Sequence, residues 1–182
     1  MARPSARPKL IDAALAVVEE RGIAGLTLDA VADEAGVTKR GLIYHFPTKH
    51  DLLLGIHEDL AARTESQLLE TTGREPEGAT LVERTRGYVR AMLKAPSTVE
   101  MRLIMEASRE PEWLAPWERV YRRWFPEEAQ PVEDLDDLTL RCLLARMAAD
   151  GSWAHEGTLQ APLTQTARAR IVAGILDTLG ED

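Results

Sequence analysis

Thr27-Leu28-Asp29-Ala30-Val31-Ala32-Asp33-Glu34-Ala35-Gly36-Val37-Thr38-Lys39-Arg40-Gly41-Leu42-Ile43-Tyr44-His45-Phe46 holds two short helical patterns separated by a glycine. Leu28, Val31, Ala32 and Ala35 recur at i, i+3, i+4 and i+7, which gives one narrow apolar face. Thr27 stands where an N-cap belongs, because its side-chain oxygen can accept from a backbone N–H of the first turn. Gly36 stops this helix and allows a tight turn, Val37 fills the turn, and Thr38 caps a second helix from Lys39 to about His45. Pro47 forbids its continuation. Two short helices joined in this way can cross steeply and leave one face of the second free. That face carries Lys39, Arg40, Gly41, Tyr44 and His45, while Leu42, Ile43 and Phe46 look wholly or partly inward. All but Gly41 can contact a phosphate or a base edge, and Gly41 lets the backbone come close.

Working outward, a helix from about Pro8 to Arg21 precedes this pair, with Leu10, Ala13, Ala14 and Val17 on one face and Gly22 at its end. A fourth helix opens at Thr48, with Asp51 three residues on as in a capping box, and runs to about Thr72. Residues 72–78 read as a loop. Thr80 with Glu83 opens a helix to about Lys94, and Ser97 with Glu100 opens one to about Arg109. Pro111 and Pro116 punctuate an aromatic stretch containing Trp113, Trp117, Tyr121, Trp124 and Phe125. An acidic loop over 126–137 follows, then a helix from about Leu138 to Trp153, a loop from Gly157 to Pro162, and a helix from about Thr164 to Leu179. The chain is therefore expected to be all-α, with about nine helices and no strand.

The net charge of -8 suits a nucleic-acid partner poorly until it is divided along the chain. Up to Gly55 there are seven Lys or Arg and seven Asp or Glu; the whole negative excess lies beyond. A basic surface need only be local, and Arg3, Arg7, Lys9, Lys39, Arg40 and Lys49 can supply one. No apolar run suits a signal peptide or a membrane span, and Cys142 is the single cysteine, so a cytoplasmic location is expected. His45, His50 and His57 are not spaced as a metal set, and His50 and His57 are expected on an exposed face. There is no phosphate-binding loop, dinucleotide glycine pattern or nucleophile elbow, so no catalytic residue, cofactor or metal is assigned and the chain is not read as an enzyme.

The series Ala13-Ala14, Gly22, residues 27–32, residues 35–39 and residues 42–49, all within Leu10 to Leu54, resembles the N-terminal domain of the TetR family of transcriptional regulators. The resemblance implies a three-helix DNA-binding domain with a helix-turn-helix over residues 1–48 and a ligand-binding and dimerisation domain over 49–182. It implies phosphate contacts from Thr27, Tyr44, His45 and Lys49, with Thr38 at the start of the recognition helix. Lys39, Arg40 and Gly41 would face bases in the major groove. Ile43 departs from the family, where many members have a tyrosine, so one common phosphate contact is missing; an aliphatic residue there can pack inward. Arg3 and Arg7 fit either a solvated tail or an arm reaching an adjacent groove.

The resemblance further implies a homodimer on a palindromic operator, a repressor released by a small molecule. Leu140, Leu143, Leu144 and Met147 on the eighth helix are candidates for the dimer bundle. So are Ile171, Ile175, Leu176 and Leu179 on the ninth, with small Ala169, Ala173 and Gly174. The same stripes suit internal packing. Met101, Met105, Trp113, Trp117, Tyr121 and Trp153 are candidates for the wall of a pocket taking an apolar or aromatic ligand, and equally for a solid core. Glu106 and Asp150 fit a polar anchor in such a pocket or surface ion pairs. Two other functions remain open: a ligand carrier or enzyme with a vestigial DNA module, and a DNA-binding regulator answering to a protein partner. Cys142 reads as a small core residue.

Overall fold

The computed structural model describes residues 6–94, 98–159 and 163–180. Among them are nine α-helices and no strand. They are α1 (Arg7–Arg21), α2 (Leu28–Ala35), α3 (Lys39–His45), α4 (Lys49–Thr72), α5 (Leu81–Met92), α6 (Thr98–Ala107), α7 (Pro111–Trp124), α8 (Asp137–Leu159) and α9 (Gln165–Asp177). The chain forms two compact units. One comprises Met1–Ala61 with Thr98–Trp117, the other Ala62–Ser97 with Glu118–Asp182.

In the first unit the caps fall where the sequence placed them. The Thr27 hydroxyl accepts from the Ala30 N–H at 3.1 Å, and Thr38 does the same for Gly41 at 3.1 Å. Gly36 adopts φ 63°, the left-handed region that costs a side-chain-bearing residue energy, and Val37 N–H closes the turn on the Ala32 carbonyl at 2.9 Å. Thr48 and Asp51 exchange backbone-to-side-chain bonds at 3.0 and 3.1 Å. The core is built from Leu10, Ile11, Ala14, Val17 and Val18 of α1, Val31 and Ala32 of α2, Leu42 and Phe46, and Leu52, Leu53, Ile56 and Leu60 of α4. Val37 is only half-buried, and Ile43 is 38% exposed and packs only in part. The Ser97 of the third proposed capping pair lies outside the described residues.

Two sequence-based boundaries change. The aromatic stretch is one continuous helix, α7, with Pro116 inside it. An interior proline costs a helix about 3 kcal/mol. Here Trp113, Trp117, Val120 and Trp124 are all buried along one stripe, and burying such side chains contributes about 1.5–3 kcal/mol each. The eighth helix continues past Trp153 and through Gly157 to Leu159, where a loop was expected from Gly157 on. Glu156 explains the extension. It is buried, accepts from the Leu163 N–H at 3.0 Å and pairs with Arg168 of α9, so helical geometry at 156 is what positions the pair.

In the second unit α5 opens with a full capping box, Thr80 with Glu83, and packs on α8 and α9. The acidic segment 126–137 contains two short 3-10 turns, Pro126–Ala129 and Val132–Asp134. Arg123 binds three carboxylates at once, Glu65 at 2.7 Å, Glu75 at 2.6 Å and Glu77 at 3.0 Å, and so joins α7 to the C-terminal half of α4 and the turn after it. The proposed stripe on α8 lies away from the inward face, with Leu140 and Leu143 half-buried. Leu144 and Met147 are open to solvent, at 55% and 59%, whereas the inward face is Thr139, Cys142, Ala145, Arg146 and Ala149. No described helix is long and apolar enough to cross a membrane.

Candidate nucleic-acid interface

The first residues of α3 stand clear of the core because the helix buries only Leu42. Thr38, Lys39, Arg40, Gly41 and Tyr44 are all exposed, Tyr44 at 84%, while His45 is half-buried with its ring edge-on to Tyr44 at 5.2 Å. A tyrosine so exposed is no part of the core, and its hydroxyl is available to a phosphate. Thr27 is exposed at the N-terminus of α2, and since its oxygen accepts from Ala30, its own proton remains to be donated. Arg40 makes no ion pair among the described residues. Gly41 has a second reason for its identity: a Cβ there would lie 3.3 Å from the Thr38 hydroxyl that caps the helix.

Three other cations are engaged within the unit. Lys39 Nζ pairs with Asp29 of α2 at 2.9 Å, and both side chains remain more than half exposed. Lys49 Nζ donates to the Ile23 carbonyl at 3.2 Å, which ties the start of α4 to the turn before α2. Arg7 is not part of a loose arm. It is the first residue of α1, pairs with Glu58 at 2.7 Å and lies 5.3 Å from the Phe46 ring centre. Arg3 lies outside the described residues.

The candidate ligand residues fall into separate groups. Met101, Trp113 and Trp117 are buried in the first unit, and Met105 of the same unit is 65% exposed. Tyr121 and Trp153 belong to the second. The expectation for His57 is overturned: it is fully buried, among the indoles. Its Nδ1 accepts from Trp117 Nε1–H at 3.2 Å, its ring is near-parallel to Trp113 at 6.0 Å, and burial lowers its imidazole to about 4. The signal was present in the sequence, since residue 57 lies on the same α4 stripe as Leu53, Ile56 and Leu60. His50 is half-buried, 3.5 Å from Glu112.

In the second unit Tyr88 is buried and donates to Asp150 at 2.6 Å, and its hydroxyl lies 2.8 Å from that of Tyr121. Burial raises the Asp150 carboxyl above its usual value, and the Tyr88 phenol likewise. Arg146 lies over the Phe125 ring at 3.7 Å and pairs with Glu128. Tyr121, Arg122, Phe125, Pro126, Glu128 and Ala129 line an open groove of about 670 Å³. Of the two carboxylates singled out in the sequence, Asp150 thus belongs to a part-buried network, while Glu106 makes an ion pair with Arg109 at 3.2 Å. Cys142 is buried.

Residues 10–56 match the family of bacterial regulatory proteins named for tetR, and residues 82–180 match the tetracyclin repressor-like C-terminal domain. The chain is 32% identical over 107 residues to the HTH-type transcriptional regulator CymR of Pseudomonas putida, covering 57% of this chain and 51% of that protein. It thus spans about half the length of that relative, and 30% of the length of SrpR of the same species, to which it is 38% identical over 66 residues. Its fold is that of a transcriptional regulator from Rhodococcus sp. Rha1, with a TM-score of 0.70 at 16% identity over 97% of this chain and 95% of that one. On the matches to both its halves, the chain belongs to the tetR family of bacterial regulatory proteins.

Proposed function

We propose that this protein is a sequence-specific DNA-binding repressor, acting as a homodimer on a palindromic operator and released by a small molecule. Residues 1–48 read the DNA, and residues 49–182 dimerise and hold the ligand. The face of α3 carries this conclusion, with Lys39, Arg40 and Tyr44 exposed on a helix held only by Leu42 and its caps. Arg40 and Lys39 contact base edges, with Arg bidentate to guanine the commonest such contact. Thr27, Tyr44, His45 and Lys49 hold phosphates and set the register. Lys39 exchanges Asp29 for DNA, and Lys49 gives up a backbone carbonyl, both small costs at an exposed site.

The dimer uses α8 and α9. Leu144 and Met147 are exposed, and Leu144, Ala145, Ala148, Ile171, Gly174 and Ile175 line a groove of about 360 Å³ between the two helices. Paired about a two-fold axis, two such helices from each subunit make a four-helix bundle. The ligand acts by binding one spacing of the two recognition helices better than the other, and shifts DNA affinity by that difference alone, typically about 1–3 kcal/mol.

A titration of fluorescent DNA fragments, drawn from upstream of the protein's own gene and then selected from random sequence, tests the proposal at two salt concentrations. Sequence-selective, salt-sensitive binding by a dimer is expected. Only nonspecific binding in both sets would leave α3 without a DNA-reading role and turn attention to the second half of the chain.

A further inference from the structure

His57 and Trp113 are two hydrogen-bond donors buried in the first unit with no acceptor among the described residues. The protonation of His57 follows from its partner. Trp117 Nε1–H can only donate, so the Nδ1 that receives it at 3.2 Å carries no proton. The neutral imidazole therefore bears its hydrogen on Nε2, and that N–H is buried and unpaired. Trp113 Nε1–H is in the same state. The two rings lie near-parallel, 6.0 Å apart, and Trp117 completes the cluster, its ring edge-on to His57 at 6.4 Å. An unpaired buried donor is costly, and native proteins keep few. Two in one cluster point to an acceptor supplied from outside the described residues.

We infer that His57 Nε2–H and Trp113 Nε1–H form a two-donor site for a neutral oxygen acceptor, such as a carbonyl, on an aromatic or apolar ligand. This rests on the proposal that residues 49–182 hold a small-molecule ligand, and adds where it sits and the polar group it must carry. A carboxylate fits less well. Its charge would have to be buried beside a neutral imidazole, and the neighbouring side chain of His50 is already 3.5 Å from Glu112. An amine fits worst, because it brings more donors to a site that lacks acceptors.

The test uses the full-length protein with three probes of one size, acetophenone, benzoate and ethylbenzene, read by tryptophan fluorescence and by release of operator-selected DNA. Acetophenone should bind about tenfold tighter than ethylbenzene, with benzoate weaker than acetophenone. Trp113→Phe, which keeps the bulk and removes the donor, should cancel that preference and leave ethylbenzene unchanged. His57→Gln, which keeps both an acceptor for Trp117 and a donor, should retain much of it, whereas His57→Leu should not. Circular dichroism of each variant confirms that it is folded. Equal binding of ethylbenzene and acetophenone, or an unaltered preference in Trp113→Phe, overturns the donor site and leaves the aromatic pocket standing. Failure of all three probes at millimolar concentration overturns the pocket and the donor site together.

Discussion

Arg40 and Lys49 are both exposed cations of the first unit, and their surroundings suit them to different work. Arg40 projects from the first turn of α3 and makes no ion pair among the described residues, which suits a base-reading residue. Lys49 opens α4 and donates to a backbone carbonyl, a position that suits a phosphate and no particular base. Arg40→Ala should therefore weaken binding mainly to the preferred operator, by about 1–3 kcal/mol. Lys49→Ala should weaken binding to all DNA and reduce the log–log salt slope by about one. Equal losses on specific and nonspecific DNA for both variants would show that this division is wrong. His57 makes a different prediction. Its imidazole is lowered to about 4 in the folded chain, against 6.5 when unfolded, so the unfolded chain binds the proton more readily between those values. Stability from this group is complete above pH 6.5 and is lost as pH falls toward 4, by an amount on the order of 2–3 kcal/mol. Urea unfolding of wild type and His57→Gln at pH 7.5 and 4.5 should show the smaller acid loss in the variant.

Among the elements, the junction of α3 and α4 is tightly constrained. Gly55 is buried in the second turn of α4, and a Cβ built there would fall 2.5 Å from Cε1 of Phe46, with Phe46 Cζ at 3.2 Å. Phe46 ends α3 and is itself buried, so it cannot swing into solvent at low cost. Alanine ordinarily favours a helix over glycine by about 1 kcal/mol. Here overpacking should outweigh that gain, and Gly55→Ala should destabilise the protein by about 1–3 kcal/mol. A lower urea midpoint with unchanged helical content in the native baseline is the expected observation; a raised midpoint would mean that α3 and α4 can separate freely. The caps of α2 and α3 were legible in the sequence because capping is local, a hydroxyl and an N–H three residues apart. The continuity of α7 through Pro116 was not, because the tryptophan stripe that outweighs the proline acts only once its burial is known.

For the assembled protein the exposed apolar residues of α8 carry the prediction. Leu144 and Met147 are more than half exposed in the single chain, an arrangement that suits a surface covered by a second copy. Leu144→Glu should shift the dimer toward monomer in sedimentation and weaken operator binding at least tenfold, since each α3 alone covers only half a palindrome. An unchanged dimer would place the interface elsewhere. Cys142 and Ala145 of the same helix face inward, and substitutions there should act on folding before assembly.

The DNA-reading half was legible from residues 27–49 because turn glycines, threonine caps and a three-to-four-residue apolar repeat are all short-range signals. The same local signals placed Lys39, Arg40, Gly41 and Tyr44 on an open face, and the backbone agrees. They could not place residues whose role depends on what packs from far along the chain. His57 read as a surface residue; its burial depends on Trp113 and Trp117, some sixty residues away. The apolar stripe of the eighth helix was legible, but that Leu144 and Met147 stand open while Cys142 and Ala145 are buried depends on where α5 and α9 meet it. Whether Lys39 is free or paired depends on Asp29 of another helix, ten residues before it. Short-range chemistry thus made the helices and their caps, and long-range burial chose which side chains are paired, sheltered or left open to a partner.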